Sequence, residues 1–144
     1  MIAPNDVIIL VGLRPDQIKN IPSNIIGIPR IESTKELAEY YSASDVFLNP
    51  TWEDNFPTTN LEALACGVPV ITYRTGGSIE SVSPETGFIV EKGNVIGLLK
   101  AIDTVKKNKK AKYSEACIER AKTLYDKDDR CLDYLNLYNT LLNP

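Results

Sequence analysis

Asn49-Pro50-Thr51-Trp52-Glu53-Asp54-Asn55-Phe56-Pro57-Thr58-Thr59-Asn60-Leu61-Glu62-Ala63-Leu64-Ala65-Cys66-Gly67-Val68-Pro69-Val70 is the stretch from which the rest of the chain can be read. The apolar run from Asp45 to Leu48 enters it as a strand, the proline-punctuated polar segment is a loop, and a short amphipathic helix follows. Pro57 suits a first helical turn, where no N–H is needed, and Gly67 with Pro69 is a stop signal. The spacing predicts a helix over Pro57 to Cys66, with Leu61, Leu64 and Ala65 facing the core at i, i+3, i+4. Helical side chains lean toward the N-terminus, so Glu62 leans back toward the loop and the unpaired amides of the first turn. Those amides, at the positive end of the helix dipole, suit an anion. Asp54 and Glu62 beside them would repel a phosphate but accept hydrogen bonds from sugar hydroxyls. A ligand carrying both groups, such as a nucleotide sugar, fits the combination. Thr59-Asn60-Leu61-Glu62 also fits a capping box, which would make Glu62 ordinary helix punctuation.

At 144 residues the chain has the length of one domain, enough to bury about two-thirds of its unfolded surface. Its 43% hydrophobic and 24% charged composition is that of a soluble globular protein, and a net charge of −3 argues against a nucleic-acid binder. The absence of histidine excludes Ser-His-Asp, Cys-His and histidine-metal sites built from this chain. Cys66, Cys117 and Cys131 are odd in number and far apart, which points to reduced thiols in a cytosol. No run has transmembrane length, and residues 1–6 do not read as a signal peptide.

Along the chain, Val7 to Val11 reads as a strand buried on both faces, and a short helix follows Pro15. Asn24 to Ile28 is a second strand, and Ser33-Thr34-Lys35-Glu36 opens a helix to about Ala43. After the third strand and the central helix come a strand over Val68 to Thr72, a helical turn over Ser78 to Val82 and a strand over Gly87 to Val90. Asn94 caps a helix to about Lys107, and two more helices follow, from Lys112 to Tyr125 and from Asp129 to Leu142. Leu132, Leu135, Tyr138 and Leu142 give the last one an apolar stripe suited to core packing or domain docking. Alternation of strands and helices predicts an α/β fold, a Rossmann-like doubly wound parallel sheet with additional C-terminal helices. Ligands of such sheets sit outside the carboxyl ends of the strands. Arg14, Arg30, Asp54 and Arg74 each follow a strand and would approach that rim, although arginines so placed often pair with surface carboxylates. Lys106, Lys107, Lys109, Lys110 and Lys112 read as a solvated turn, with an anionic membrane surface as the alternative partner. Asp126-Lys127-Asp128 has a metal-binding Asp-x-Asp spacing but reads as a helix cap.

The central stretch resembles the donor-binding signature of the retaining family 4 (group 1) glycosyltransferases. Its pattern is an acidic residue, seven residues, Glu, Ala, a small apolar pair, Gly and Pro. Asp54 and Glu62 take the two acidic places, with Glu53 one position off, and the likeness runs from about Val7 to Leu142. It includes Gly76-Gly77-Ser78-Ile79-Glu80 and Thr86-Gly87-Phe88-Ile89-Val90. The resemblance implies that residues 1–144 are the C-terminal nucleotide-sugar-binding domain of a GT-B enzyme, truncated on its N-terminal side and lacking the acceptor-binding domain. It implies hexose transfer to a cell-surface or capsular glycan without a metal or other cofactor, in the cytoplasm, with lipid-linked acceptors and the inner membrane face as contacts. It gives Glu62 the donor's ribose, Asp54 the transferred sugar, the amides at Phe56, Thr58 and Thr59 the sugar and diphosphate, and Ile28 to Arg30 the base. Arg14, Arg30 and Arg74, by their places after strands and independently of the resemblance, are candidate substrate-binding cations. Pro57 replaces a usual Gly and cannot donate there. The alternative is a stand-alone nucleotide-binding module, or a donor subunit pairing with a separate acceptor-binding chain. A phosphoacceptor signalling domain would need an acidic pair where Gly12-Leu13-Arg14 stands.

Overall fold

The computed structural model describes residues 6–142. Strands and helices alternate: β1 (Ile8–Val11), α1 (Pro15–Ile18), β2 (Ile25–Ile28), α2 (Thr34–Ala43), β3 (Phe47–Asn49), α3 (Thr58–Ala65), β4 (Val70–Tyr73), a 3-10 turn (Gly76–Ser81), β5 (Gly87–Val90), α4 (Val95–Asn108), α5 (Ala111–Tyr125) and α6 (Lys127–Leu142). Every strand pair is parallel, as the alternation predicts. The strands form two sheets rather than one, β1–β2 and β3–β4–β5. β3 is three residues long and takes its ladder partner from β4, so among the described residues nothing carries hydrogen bonding from β1 across to it.

The two sheets differ in burial. All four residues of β4 are buried, whereas Leu10 and Val11 of β1 remain about two-fifths exposed. The expectation of a first strand buried on both faces is therefore corrected, because no described element covers that surface. The core lies around β4: Leu64, Val68, Val70, Ile71, Val105 and Cys117 are fully enclosed, and α3 packs between this sheet and α5. The buried face of α3 is Asn60, Ala63 and Leu64. Leu61 is only half-buried and Ala65 is exposed, so the face predicted from Leu61, Leu64 and Ala65 is rotated by about one position. The rotation arises because a polar residue, Asn60, occupies a core position that a hydrophobic count passes over.

The helix ends follow their local chemistry. Ser33 Oγ accepts from the Glu36 N–H at 3.3 Å and Asn94 Oδ1 from the Gly97 N–H at 2.9 Å. Asp126 Oδ1 accepts from the Asp128 N–H at 2.9 Å, which makes the Asp-x-Asp a helix start. Of the lysine run, Lys106 and Lys107 end α4, Lys109 and Lys110 lie between the helices and Lys112 opens α5; Lys110 Nζ donates to the Ser42 carbonyl at 2.6 Å and Lys106 Nζ pairs with Asp6 at 2.6 Å. No residue of α6 is buried, and Leu132, Leu135, Tyr138 and Leu142 are all more than half exposed, so the stripe is not core packing within the described residues. No helix among the described residues is long and apolar enough to cross a membrane.

Candidate functional site

The β3–α3 loop lies at the carboxyl end of the three-stranded sheet, next to the segments that follow β4 and β5. α3 begins at Thr58 with Pro57 as its N-cap, and Pro57 offers no capping side chain. The first helical N–H groups have no acceptor within a helix, and the amides of Thr58 and Thr59, both exposed residues, have no capping side chain. Glu62 does not close a capping box. Its Oε2 accepts from the Tyr41 hydroxyl at 3.0 Å, joining α3 to α2. Burial, and then the Glu62 charge and this hydrogen bond, raise the Tyr41 pKa above its ordinary value. Tyr41 is held in turn by an edge-on contact with Phe47 of β3, ring centroids 5.4 Å apart.

Asp54 turns the other way along the loop. Its Oδ1 accepts from the Phe56 N–H at 3.0 Å, so the amide expected to meet a sugar already has a partner. The Phe56 ring meets Tyr125 edge-on at 5.8 Å. Asp54 lines a cleft of about 380 Å³ with Trp52, Glu53, Asn55, residues 74–76 and Lys92. Glu62, Thr58, Thr59, Arg14, Arg30 and Ile28 do not line it. A larger cavity of about 580 Å³ lies at the other end of the sheet, beside Asp45, Lys106, Lys109 and Lys110, away from the rim.

The three arginines are brought to carboxylates. Arg14 pairs with Asp16 at 3.2 Å, Arg30 with Glu32 at 2.9 Å and Arg74 with Glu91 at 2.7 Å, all exposed. Of these only Arg74 borders the cleft. Ile28, the last residue of β2, is half-buried, and its carbonyl accepts from the Gly12 and Leu13 amides at 3.0 and 3.1 Å.

A buried polar chain that sequence reasoning missed holds the loop in place. Asn49 Nδ2 donates to Asn60 Oδ1 and Asn60 Nδ2 to Ser81 Oγ, both at 2.9 Å. The Ser81 hydroxyl donates to the Ser78 carbonyl at 2.8 Å, and Thr72 Oγ1 to the Asn49 carbonyl at 3.0 Å. From α5, Arg120 donates to the Ser81 and Glu80 carbonyls at 2.8 and 2.7 Å, and the Tyr125 hydroxyl to that of Glu80 at 2.9 Å. β3, α3, β4 and the 3-10 turn are thereby tied into one unit. Gly76 and Gly77 complete it, since a Cβ on either would overlap the Asp54 or Asn55 carbonyl oxygen. The signal in the sequence was Asn60 at i−3 and i−4 from Ala63 and Leu64.

Residues 15–124 match the profile of the family described as glycosyl transferases group 1. The chain belongs to that family. It is 38% identical over 74 residues to the capsular polysaccharide biosynthesis glycosyltransferase CapM of Staphylococcus aureus, covering 51% of this chain and 20% of that protein. It is 31% identical over 91 residues to a D-inositol 3-phosphate glycosyltransferase of Mycobacteroides abscessus, covering 62% of this chain and 20% of that one. Among solved structures, sucrose-phosphate synthase from Thermosynechococcus elongatus superposes with a TM-score of 0.79 at 27% identity, covering 93% of this chain and 38% of that one. The α/β architecture is accordingly that of GT-B glycosyltransferases. The chain spans about a fifth of the length of these curated relatives.

Proposed function

We propose that this chain is the C-terminal, donor-binding part of a retaining family 4 glycosyltransferase that transfers a hexose from a nucleoside-diphosphate sugar to a cell-surface or capsular glycan. The observation that carries the reading is the start of α3: the amides of the exposed residues Thr58 and Thr59 follow a proline that cannot cap them, and neither Asp54, bound to the Phe56 N–H, nor Glu62, bound to the Tyr41 hydroxyl, closes the helix. Amides and helix dipole would take the diphosphate and stabilise it as it leaves, without a metal. Glu62, steadied through one oxygen by Tyr41, keeps its other oxygen for the ribose hydroxyls, and Asp54 would meet the transferred sugar. Arg14, Arg30 and Arg74 would each have to leave a carboxylate, Asp16, Glu32 and Glu91, to join that work. Similarity to a capsular polysaccharide glycosyltransferase supports the acceptor class.

The exposed apolar residues of β1 and the uncovered stripe of α6 support the view that further polypeptide, including an acceptor-binding domain, normally packs here. Such an enzyme would work in the cytoplasm, at the inner membrane face when its acceptor is lipid-linked. Titration with uridine and guanosine diphosphates, followed by amide NMR, is expected to shift Thr58, Thr59 and Glu62 at millimolar ligand, with or without EDTA. Glu62→Gln is expected to weaken ribonucleotide binding more than Asp54→Asn. Equal affinity for ribose and deoxyribose forms would remove the ribose role from Glu62.

A further inference from the structure

The cleft beside Asp54 has a chemistry different from the start of α3. Trp52, the one tryptophan of the chain, stands at its edge with 62% of its surface exposed. The Lys92 ammonium lies 5.0 Å from the indole centroid, and Gly93, at φ +78°, lets the chain turn close beside the ring, where an added Cβ would sit 3.6 Å from Cη2. The opposite wall is fixed. Arg74 N donates to the Val90 carbonyl at 2.8 Å, its guanidinium is bound to Glu91, and Thr75 Oγ1 donates to the Thr51 carbonyl at 3.3 Å. Gly77 N donates to the Asp54 carbonyl at 3.3 Å, which clasps the 3-10 turn against the loop. An exposed indole in a rigid, polar-lined recess is thus an ordered feature and not a loose loop tip.

Resting on the donor-site reading above, we propose that this cleft seats a neutral pyranose ring of the acceptor glycan, its C–H face on Trp52 and its hydroxyls on Glu53 and Asn55. Charge selects the class. The two cations at the cleft are already engaged, Arg74 by Glu91 and Lys92 by the indole, and Glu53 and Asp54 stand beside them, so a diphosphate is disfavoured there. A polyhydroxyl ring with one apolar face suits an indole next to hydrogen-bond acceptors. The volume of about 380 Å³ lies in the range of roughly 300–1,000 Å³ usual for small-molecule sites. The seat spans the segments after all three strands of the larger sheet, and neither Tyr41 nor Glu62 lines it. A sugar there does not depend on a nucleotide.

Because Trp52 is the sole indole, its emission and its side-chain N–H resonance report on this cleft alone. The 144-residue chain is titrated with methyl hexopyranosides, maltotriose and chitotriose, and separately with uridine and guanosine diphosphates. The expected result is a saturable shift of the Trp52 indole N–H with at least one glycan and none with the diphosphates, which move Thr58 and Thr59 instead. Trp52→Ala, followed through the Asn55 and Gly76 amides, is expected to weaken that glycan at least about tenfold while leaving diphosphate affinity unchanged. Trp52→Phe is expected to restore part of it. A glycan that binds Trp52→Ala as well as the parent overturns the proposal. So does a flat indole signal up to about 50 mM glycan, roughly fifty times a weak millimolar Kd. An indole shift seen only with a nucleotide sugar would give the cleft to the donor and likewise overturn it. Loss of the Thr58 and Thr59 response alone would count against the donor site and leave this seat standing.

Discussion

The two sheets of this molecule are built from similar residues and end in different states. β1 reads Ile-Ile-Leu-Val and β4 Val-Ile-Thr-Tyr, and both are parallel strands, yet three of the four residues in β1 are exposed while all four in β4 are enclosed. Covering elements make the difference. β4 has strands on both sides, with α3, α4 and the 3-10 turn packed against it, whereas β1 has only β2 beside it in the ladder. Residue type alone therefore does not set burial in a parallel sheet. The candidate rim follows the same division, since the loops after β3, β4 and β5 are fixed on the enclosed sheet, and Arg14 and Arg30, on the open one, hold only local carboxylates.

The sharpest way to break this contrast is to truncate one side chain in each half. Leu64 is fully enclosed and Leu10 is 39% exposed. Leu64→Ala is expected to cost about 2–5 kcal/mol, a cavity-forming loss in a packed core, and Leu10→Ala about 1 kcal/mol. Urea denaturation of the two variants measures both. Equal losses would mean that β1 is covered in solution by something the described residues do not show, a self-association that sedimentation would reveal.

Asn60→Ala comes next, at about 1–3 kcal/mol, because the Asn49 amide loses its acceptor and the Ser81 hydroxyl its donor inside the core. This residue also marks the limit of what could be read in advance. The central helix, its boundaries to within a residue, the caps at Ser33 and Asn94 and the alternation of strands and helices were all legible, because each depends on contacts within a few positions. The buried face of α3 was not, because Asn60 is tolerated in the core only through Asn49 and Ser81, 11 and 21 positions away. The same holds for Tyr41, which reads as one apolar helix residue among others until its hydroxyl is found on Glu62. Asp54 and Glu62 were legible as a pair, but their separate partners, the cleft and Tyr41, were not. The division into two sheets was equally hidden, since an apolar run has the same pattern whether or not anything covers it.

An effect confined to alkaline pH, and absent at neutral pH, separates the halves by titration. Cys117, enclosed beside β5 with Sγ 3.7 Å from the Thr86 carbonyl, has its pKa pushed by burial from 9.0 up to about 12. A raised folded-state pKa means that the folded protein holds the proton more tightly. Its contribution is full below the unfolded value and is lost as pH rises, here between about 9 and 12, at up to about 1.4 kcal/mol per pH unit. Tyr41, also raised, adds a similar loss above its ordinary value of 10.0. Thermal melts are expected to fall more steeply above pH 9 in the parent than in Cys117→Ala, while the double variant with Tyr41→Phe flattens the curve further. Parallel curves for parent and variants would show that neither group is as enclosed as the packing around β4 requires.

The smallest expected effect concerns the open half. Arg14 and Arg30 lie on side chains that are 69% and 82% exposed, each beside a carboxylate two positions away in sequence. Such pairs contribute about 0–1 kcal/mol and are screened by salt. Arg14→Ala and Arg30→Ala are therefore expected to change the urea midpoint little and diphosphate affinity by less than about twofold, and so is Arg74→Ala, whose guanidinium is held by Glu91. The comparison depends on position and not on charge, because each variant removes one guanidinium and leaves one carboxylate unpaired. If Arg14→Ala or Arg30→Ala weakened diphosphate binding severalfold while Arg74→Ala did not, the cations of the open half would have to leave Asp16 or Glu32 on binding, and β1–β2 would share the work of the rim despite its exposed surface.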